Sequence, residues 1–366
     1  MDDARAWLRL ARSRNVGPRT FRRLIARFAT PEAALDALPA LAEGAGLKAY
    51  EAAPWADVDA EIAAAARAGA RLLRLGGPGY PAALSEIADP PAVLWALGDV
   101  GLAERPCIAV VGARNASAAG QRIAAMLARD LGDCGHVVVS GLARGIDRAA
   151  HEAALDTGTI AVVAGGVDVV YPPQNADLAS AIASRGLVLS EAPMGEQPTA
   201  RSFPRRNRIV SGLSAGVVLV EAAARSGSLI TARMALEQGR EAMAVPGSPL
   251  DPRAEGCNAL IREGAALIRS AADIIEALGA PRALRPAALP LPEPPATRPA
   301  PLPPVDLPEA QAAIAALLGP TPVAFDELAR AAGLDAAALS AVLLDLELDG
   351  RIERRAGDLI ALAPTG

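Results

Sequence analysis

Four arginines fall within eight residues at Arg201-Ser202-Phe203-Pro204-Arg205-Arg206-Asn207-Arg208. Guanidinium groups clamp phosphate oxygens bidentately, and an aromatic ring among them offers a face to a planar base. The plainer alternative is a solvated arginine face with one guanidinium paired to a structural carboxylate. Three further segments repeat a related composition: Gly112-Ala113-Arg114-Asn115-Ala116-Ser117, Ser140-Gly141-Leu142-Ala143-Arg144-Gly145-Ile146-Asp147 and Glu221-Ala222-Ala223-Ala224-Arg225-Ser226-Gly227-Ser228. Glycine lets a backbone approach a ligand closely, a following helix supplies unpaired amides, and arginine adds a bidentate cation. Ser117 and Asp147 also read as ordinary helix N-caps. Gly165-Gly166 ahead of Tyr171-Pro172-Pro173-Gln174-Asn175, then Pro246-Gly247-Ser248-Pro249 and Gly256-Cys257-Asn258, add more polar corners. Singly each is a weak signal; together they predict an anion-binding edge.

Catalytic and metal-binding patterns are absent from the reading. Gly212-Leu213-Ser214-Ala215-Gly216 has the spacing of a nucleophile elbow, but both histidines, His136 and His151, precede it, and it leads into a strand instead of following one. There is no dinucleotide-binding glycine motif, and the single lysine, Lys48, sits in no phosphate loop. His151-Glu152 lacks the second histidine of a zinc site. Cys107, Cys134 and Cys257 are odd in number and not at metal-ligand spacing, which argues against a disulfide framework. Neither a catalytic residue, nor a metal ligand, nor a cofactor site is assigned.

These corners need a scaffold. Short β-rich runs at 107–111, 136–140, 159–164, 187–190, 216–220 and 241–245 alternate with amphipathic stretches such as 118–131, 147–156 and 228–238. Apolar runs joined through helices imply parallel strands in a doubly wound α/β sheet, whose ligands lie beyond the strands' carboxyl ends. Two lead-in strands are expected near 71–75 and 93–97, with a possible last strand at 266–268. Upstream, Asn15-Val16-Gly17-Pro18 joins two helical segments with arginines on both. The joint reads either as a helix-hairpin-helix that holds a phosphate or as an ordinary turn in a small bundle.

The chain's 366 residues exceed one core. Eleven of the 28 residues at 281–308 are proline, a composition that predicts an extended spacer. The expected domains are a helical one at 1–65, a doubly wound α/β one at 66–280, the proline-rich linker at 281–308, and a compact one at 309–366. In that tail, helices are expected at 310–318, 325–332 and 336–349, with a two-stranded wing at 351–362. Hydrophobic residues at 52% and charged residues at 21% exclude wholesale disorder. Without an apolar run long enough to span a bilayer, and without the pattern of a signal peptide, a soluble cytosolic protein is expected. The net charge of −5 argues against nucleic acid in bulk, yet residues 1–27 hold eight arginines against two aspartates. The tail, with nine acidic and four basic residues, alone accounts for the net −5.

Seven segments then resemble, in order, the DprA/Smf family of DNA-processing proteins: VVGARNAS (110–117), SGLARGIDRAAH (140–151), AGGVDVVYPPQN (164–175), SFPRRNRIVSGLS (202–214), EAAARSGSLITARMALEQGRE (221–241), AVPGSP (244–249) and GCNALIREGA (256–265). The resemblance implies an extended Rossmann-like core at 66–280 between a helix-hairpin-helix-like domain at 1–65 and a winged-helix-like domain at 309–366, in a cytoplasmic single-stranded-DNA-binding protein that protects incoming DNA during natural transformation and helps load the RecA recombinase. It also implies a homodimer and no established enzymatic activity. Carried over by residue, the DNA-binding positions would be Gly112, Arg114, Arg144, Arg206, Arg208, Arg225, Ser226, Gly227 and Ser228, with Asn258 in addition. Arg225 stands where the family often has lysine, which keeps the charge and alters contact geometry. Phe203 is the one obvious base-stacking candidate.

Two rivals follow from the same residues. A nucleotide-processing enzyme of the phosphoribohydrolase kind would share the fold, but needs a P-G-G-x-G-T-x-x-E segment, and Arg225–Ala232 has no such Glu. A purely architectural protein would recruit partners through its tail and N-terminal helices. Because no basic residue lies between Asp335 and Gly350, the winged-helix-like tail is expected to bind duplex DNA poorly and to act as an interaction or regulatory module.

Overall fold

The computed structural model describes residues 2–44, 50–279, 307–319, 321–348, 350–355 and 359–363. The chain opens with four helices, α1 (Asp2–Arg12), α2 (Pro18–Phe28), α3 (Pro31–Gly44) and α4 (Trp55–Ala68). Strand β1 (Arg71–Arg74), a single turn α5 (Ala82–Ser85) and strand β2 (Val93–Gly98) follow. An alternation then runs through β3 (Cys107–Val111), α6 (Ala118–Asp133), β4 (Val137–Ser140), α7 (Ile146–Ala154), β5 (Thr159–Val162), α8 (Ala176–Arg185) and β6 (Leu187–Ser190). It continues through α9 (Ser202–Leu213), β7 (Gly216–Leu219), α10 (Gly227–Glu237), β8 (Glu241–Ala244), α11 (Glu255–Arg262), β9 (Ala266–Leu267) and α12 (Ala271–Gly279). The tail comprises α13 (Leu307–Leu317), β10 (Val323–Ala324), α14 (Phe325–Ala332), α15 (Ala336–Leu348), β11 (Ile352–Arg355) and β12 (Leu359–Leu362).

Among the described residues nine strands form one sheet in the order β1-β2-β6-β5-β4-β3-β7-β8-β9. From β6 to β9 every neighbouring pair is parallel; only β1 with β2, and β2 with β6, are antiparallel. The alternation of side chains explains why the strands are apolar throughout. Cys107, Ala109 and Val111 of β3 point into a core that includes Ile209 and Leu213 of α9 and Leu229 of α10. Ile108 and Val110 point the opposite way, into a core built with Leu127 and Leu131 of α6 and Ile146 of α7. Helices thus cover both faces, as a doubly wound sheet requires.

The winged-helix tail packs Ile314, Leu328, Leu339, Leu343 and Ile360 around its own core, with β10-β12-β11 as an antiparallel sheet. The wing expected at 351–362 is the β11–β12 pair. Helix α13 begins at Leu307, so Pro308 sits in its first turn, where a missing N–H leaves no hydrogen bond unmade. The expected spacer from 281 to 306 lies outside the described residues.

By contacts the chain divides into two compact units, Met1–Leu8 with Trp55–Gly279, and Arg9–Pro54 with Ala280–Gly366. The second unit therefore joins N-terminal helices to the tail, two segments that the sequence reading assigns to separate domains. Among the described residues no helix is long and apolar enough to cross a membrane, and no group of His, Cys, Asp or Glu side chains is arranged to hold a metal ion. Cys107, Cys134 and Cys257 are all free thiols.

Candidate functional site

Strand order reverses at β3. Moving outward from it, the chain proceeds through β4, β5 and β6 on one side and β7, β8 and β9 on the other. The loops leaving β3 and β7 diverge at such a switch point and leave a crevice beyond the strand ends. Here the crevice is an open cleft of about 820 Å³ whose lining includes Gly112, Arg114, Phe203, Arg206, Arg225 and Ser226. Gly227 and Ser228 also line it, so the cleft gathers eight of the eleven expected positions.

Each wall has a local cause. Ser117 caps α6 by accepting the Gly120 N–H at 2.9 Å, the plain role weighed for it. Its own N–H donates to Glu221 Oε2 at 2.9 Å and its hydroxyl donates to Glu221 Oε1, which ties the β3 loop to the end of β7. Gly112 needs its missing side chain: a Cβ there would fall 2.7 Å from Ile146 Cγ1. On the facing wall Ser226 caps α10, its Oγ accepting the Ser228 N–H at 3.4 Å and lying 2.7 Å from Ser228 Oγ. The first turn of α10 thus presents amides and hydroxyls to the cleft beside the exposed Arg225.

Arg114 is exposed and holds its Cζ 4.9 Å from the centroid of the Phe203 ring, a cation–π contact between two residues of the cleft lining. Phe203 in turn meets Tyr171 at a centroid distance of 5.7 Å and a tilt of 51°. Tyr171, 44% exposed, is a second aromatic at this edge and was not singled out from the sequence. Among the described residues Arg114, Arg144 and Arg225 have no carboxylate partner, so their charge is available to a ligand. Arg144 is exposed on the β4–α7 loop but outside the cleft lining.

The arginine cluster splits. Arg206 lines the cleft yet is only 8% exposed, and its Nη1 donates to the carbonyls of Gly141, at 2.6 Å, and Val162. Burial lowers its pKa to about 10, with the Asp147 carboxylate opposing that shift and Arg114 adding to it. Asp147, equally buried, has its carboxyl pushed up by burial, against the pull of Arg206 and of backbone N–H groups that include Gly141 at 3.1 Å and Ala143 at 3.3 Å. Arg206 therefore supports the loop from beneath and lends the cleft charge at second hand.

Two expected contacts are spent elsewhere. Arg208 is buried and donates from Nη2 to both oxygens of Glu191, at 2.7 and 2.6 Å, and from Nη1 to the Asp89 carbonyl at 2.7 Å. It is the structurally paired guanidinium that the plainer reading of the cluster anticipated. Asn258 pairs twice with the backbone of Gly247, accepting its N–H at 3.1 Å and donating to its carbonyl at 3.0 Å, and so shapes the 246–249 corner. Neither side chain reaches the cleft.

The β4–α7 loop is also held by residues that the sequence reading left without a role. Leu142 has a φ of 56°, a left-handed conformation uncommon for a side chain of its size. Its N–H donates to His151 Nε2 at 3.3 Å, and its carbonyl accepts from Asn175 Nδ2 at 2.8 Å. Because Nε2 accepts, Nδ1 carries the proton and donates to Thr159 Oγ1 at 2.7 Å. Burial, then Arg206, lowers the His151 pKa to about 3, which keeps the imidazole neutral. Asp147, His151, Asn175 and Glu221 are thus positioning residues; their presence inside the quoted motifs was the available signal, and their partners were not.

The family model described as DNA recombination-mediator protein A matches residues 71–279. A DprA-like N-terminal HHH domain matches residues 1–64, and a DprA winged helix domain matches residues 298–358. The chain is similar to the DNA processing protein DprA of Streptococcus pneumoniae, 48% identical over 198 residues, which are 54% of this chain and 70% of that protein. A solved structure of DprA from the same organism superposes with a TM-score of 0.61 at 37% identity, covering 74% of this chain and 95% of the other. DNA processing protein A from Helicobacter pylori, whose structure was described for its single-stranded DNA binding mode, gives a TM-score of 0.53 at 33% identity, covering 57% of this chain and 95% of that one.

Proposed function

The chain belongs to the DprA/Smf family, and from that premise we propose that it binds single-stranded DNA along the switch-point cleft. The observation that carries the reading is the convergence of unpaired Arg114 and Arg225, the capped start of α10 and the Phe203–Tyr171 pair on one open edge. An open edge suits a continuous backbone better than one mononucleotide. Phosphates would lie along the arginines and the α10 amides, while Phe203 and Tyr171 offer faces to bases without reading their sequence. Arg144, exposed just outside the cleft, extends the basic track. A duplex, whose bases are already stacked, would lose the aromatic part of this contact.

In the cell this binding would protect incoming DNA and present it to the RecA recombinase in the cytoplasm, with the chain acting as a homodimer and without catalysis of its own. The related protein from Helicobacter pylori supports the single-strand part of this reading. Fluorescence anisotropy of a labelled poly-dT strand and a matched duplex tests it, with wild type beside an Arg114→Glu, Arg225→Glu variant. Salt-sensitive binding that prefers the single strand and is lost in the variant is expected. Equal binding by the variant would remove the cleft from consideration, and base release from a nucleoside monophosphate would turn the reading toward the phosphoribohydrolase alternative.

A further inference from the structure

The second compact unit holds a contact between the two ends of the chain. Helix α2 carries Arg19, Arg23 and Arg27 at intervals of four, a single stripe, while Thr20, Phe21 and Leu24 are buried. Helix α15, the third helix of the winged-helix module, packs against α2 and α3. The acidic residues from which this helix is expected to read duplex DNA poorly have a basic counterpart on α2. Glu347 Oε2 lies 3.5 Å from Arg23 Nη1 and 3.4 Å from Arg354 Nε, with both arginines largely covered. Asp345, 8% exposed, lies 3.5 Å from Gln311 Nε2, and burial pushes its carboxyl up against the pull of Arg27 and Arg23. Past the end of α15, a Cβ on Gly350 would lie 3.9 Å from Asn15 Nδ2, so the turn into the wing rests against the α1–α2 hairpin.

A loose surface pair between flexible side chains contributes little and is easily lost to solvent. The pair of Glu347 with Arg23 differs, because opposite charges from two modules are largely withdrawn from water together and each would be costly to leave alone. We propose that the winged-helix module is a cap: its third helix and the following turn dock on α2 at Arg23, the covered middle of the stripe, while Arg27 stays exposed, and the stripe meets a polyanionic backbone as a whole only when the clasp opens. The module's partner is then the chain's own N-terminal helices. The inference is independent of the cleft, since it concerns only residues of the second unit.

The test uses the full-length chain carrying Arg114→Glu and Arg225→Glu, so that the cleft does not contribute. A residual binding as strong as wild type at this stage would defeat the cleft reading alone. Adding Glu347→Arg opens the clasp; Glu327→Arg, an equal charge change at an exposed position on α14, is the control. In anisotropy at low salt, Glu347→Arg should raise the affinity for a labelled strand or duplex at least about fivefold over the control, the lower end of a typical coupling between sites. Equal gains from the two changes, or no gain from either, would overturn the proposal. A second variant guards against misfolding: Glu347→Gln removes the charge without adding a basic group, and should give a smaller gain in the same direction over Glu327→Gln. A gain confined to Glu347→Arg would reflect the added charge alone and would also overturn the proposal.

Discussion

A Cβ built on Gly141 falls 2.5 Å from Arg206 Nη1, the same nitrogen that donates to the Gly141 carbonyl at 2.6 Å. Glycine at 141 and arginine at 206 are therefore one feature: the guanidinium fills the space beneath the β4–α7 loop and fixes its height at the cleft edge. Gly141→Ala should destabilise the fold by about 1–3 kcal/mol, because the methyl group forces a buried, hydrogen-bonded side chain to move. The loop should shift with it, so DNA affinity should fall although no ligand contact is removed. Denaturant melts and anisotropy on the same preparation check both; an unchanged midpoint would show that Arg206 yields at no cost.

Arg208 and Arg114 should separate stability from binding. The Arg208 pair with Glu191 is buried, with side chains 8% and 16% exposed. Truncating one partner leaves the other charge stranded, at a cost of about 3–5 kcal/mol. Arg208→Met should accordingly lower the unfolding midpoint sharply, and Glu191→Leu in the same chain should recover much of the loss. Arg114→Gln should leave the midpoint within about 0.5 kcal/mol, as surface changes do, while weakening DNA binding. Denaturant melts with a double-mutant cycle decide the first claim, and titration with labelled DNA the second.

Stability should fall on acidification through His151. Its pKa is lowered to about 3 in the folded chain against about 6.5 in an unfolded one. A depressed pKa contributes stability that is complete above the unfolded value and is lost as pH falls toward the folded one. The loss should begin near pH 6.5, with a slope of at most about 1.4 kcal/mol per pH unit. Asp147 acts with the opposite sign, since its raised pKa contributes stability at low pH that is lost as pH rises. Comparing wild type with His151→Gln, in which Asp147 is retained, isolates the histidine. The variant should show a flatter profile between pH 6.5 and 4, and identical profiles would assign the acid limb to other groups.

The strand-end loops were legible because their signals are local. Gly112, Arg114 and Ser117 sit within six residues of one another, and a strand followed by a helix is enough to place them. Phe203 was legible as an aromatic among arginines. Which arginine is free was not legible, because composition does not distinguish Arg206 and Arg208 from their neighbours. Their partners, Gly141 and Glu191, lie 65 and 17 residues away in sequence. Asn258 misled for the same reason: a polar side chain in a glycine-rich corner looks like a ligand contact until the Gly247 backbone is seen to use it. The winged helix was readable as a resemblance, three expected helices followed by a two-stranded wing, and the acidity of α15 gave reason to doubt duplex binding. That this helix meets the arginines of α2 is a contact between opposite ends of the chain, which no local pattern encodes.

Salt dependence should distinguish the arginines that touch phosphate from those that do not. Each phosphate neutralised by a side chain releases condensed counterions, so the slope of log affinity against log salt counts ionic contacts, at about −0.7 each on a single strand. Arg114 and Arg225 are exposed at the cleft and have no carboxylate to release, so each change to glutamine should reduce the slope by close to one contact. Arg208→Met, provided it is measured where the protein remains folded, should leave the slope unchanged, since its guanidinium is already neutralised by Glu191. Phe203→Leu should lower affinity at every salt concentration with no change in slope, because stacking on a ring releases no ions, and the loss should shrink on an abasic strand. A slope altered by Phe203→Leu or by Arg208→Met would mean that the cleft reorganises when either side chain is lost. An unaltered slope in both Arg114→Gln and Arg225→Gln would place the phosphate path elsewhere on the sheet edge.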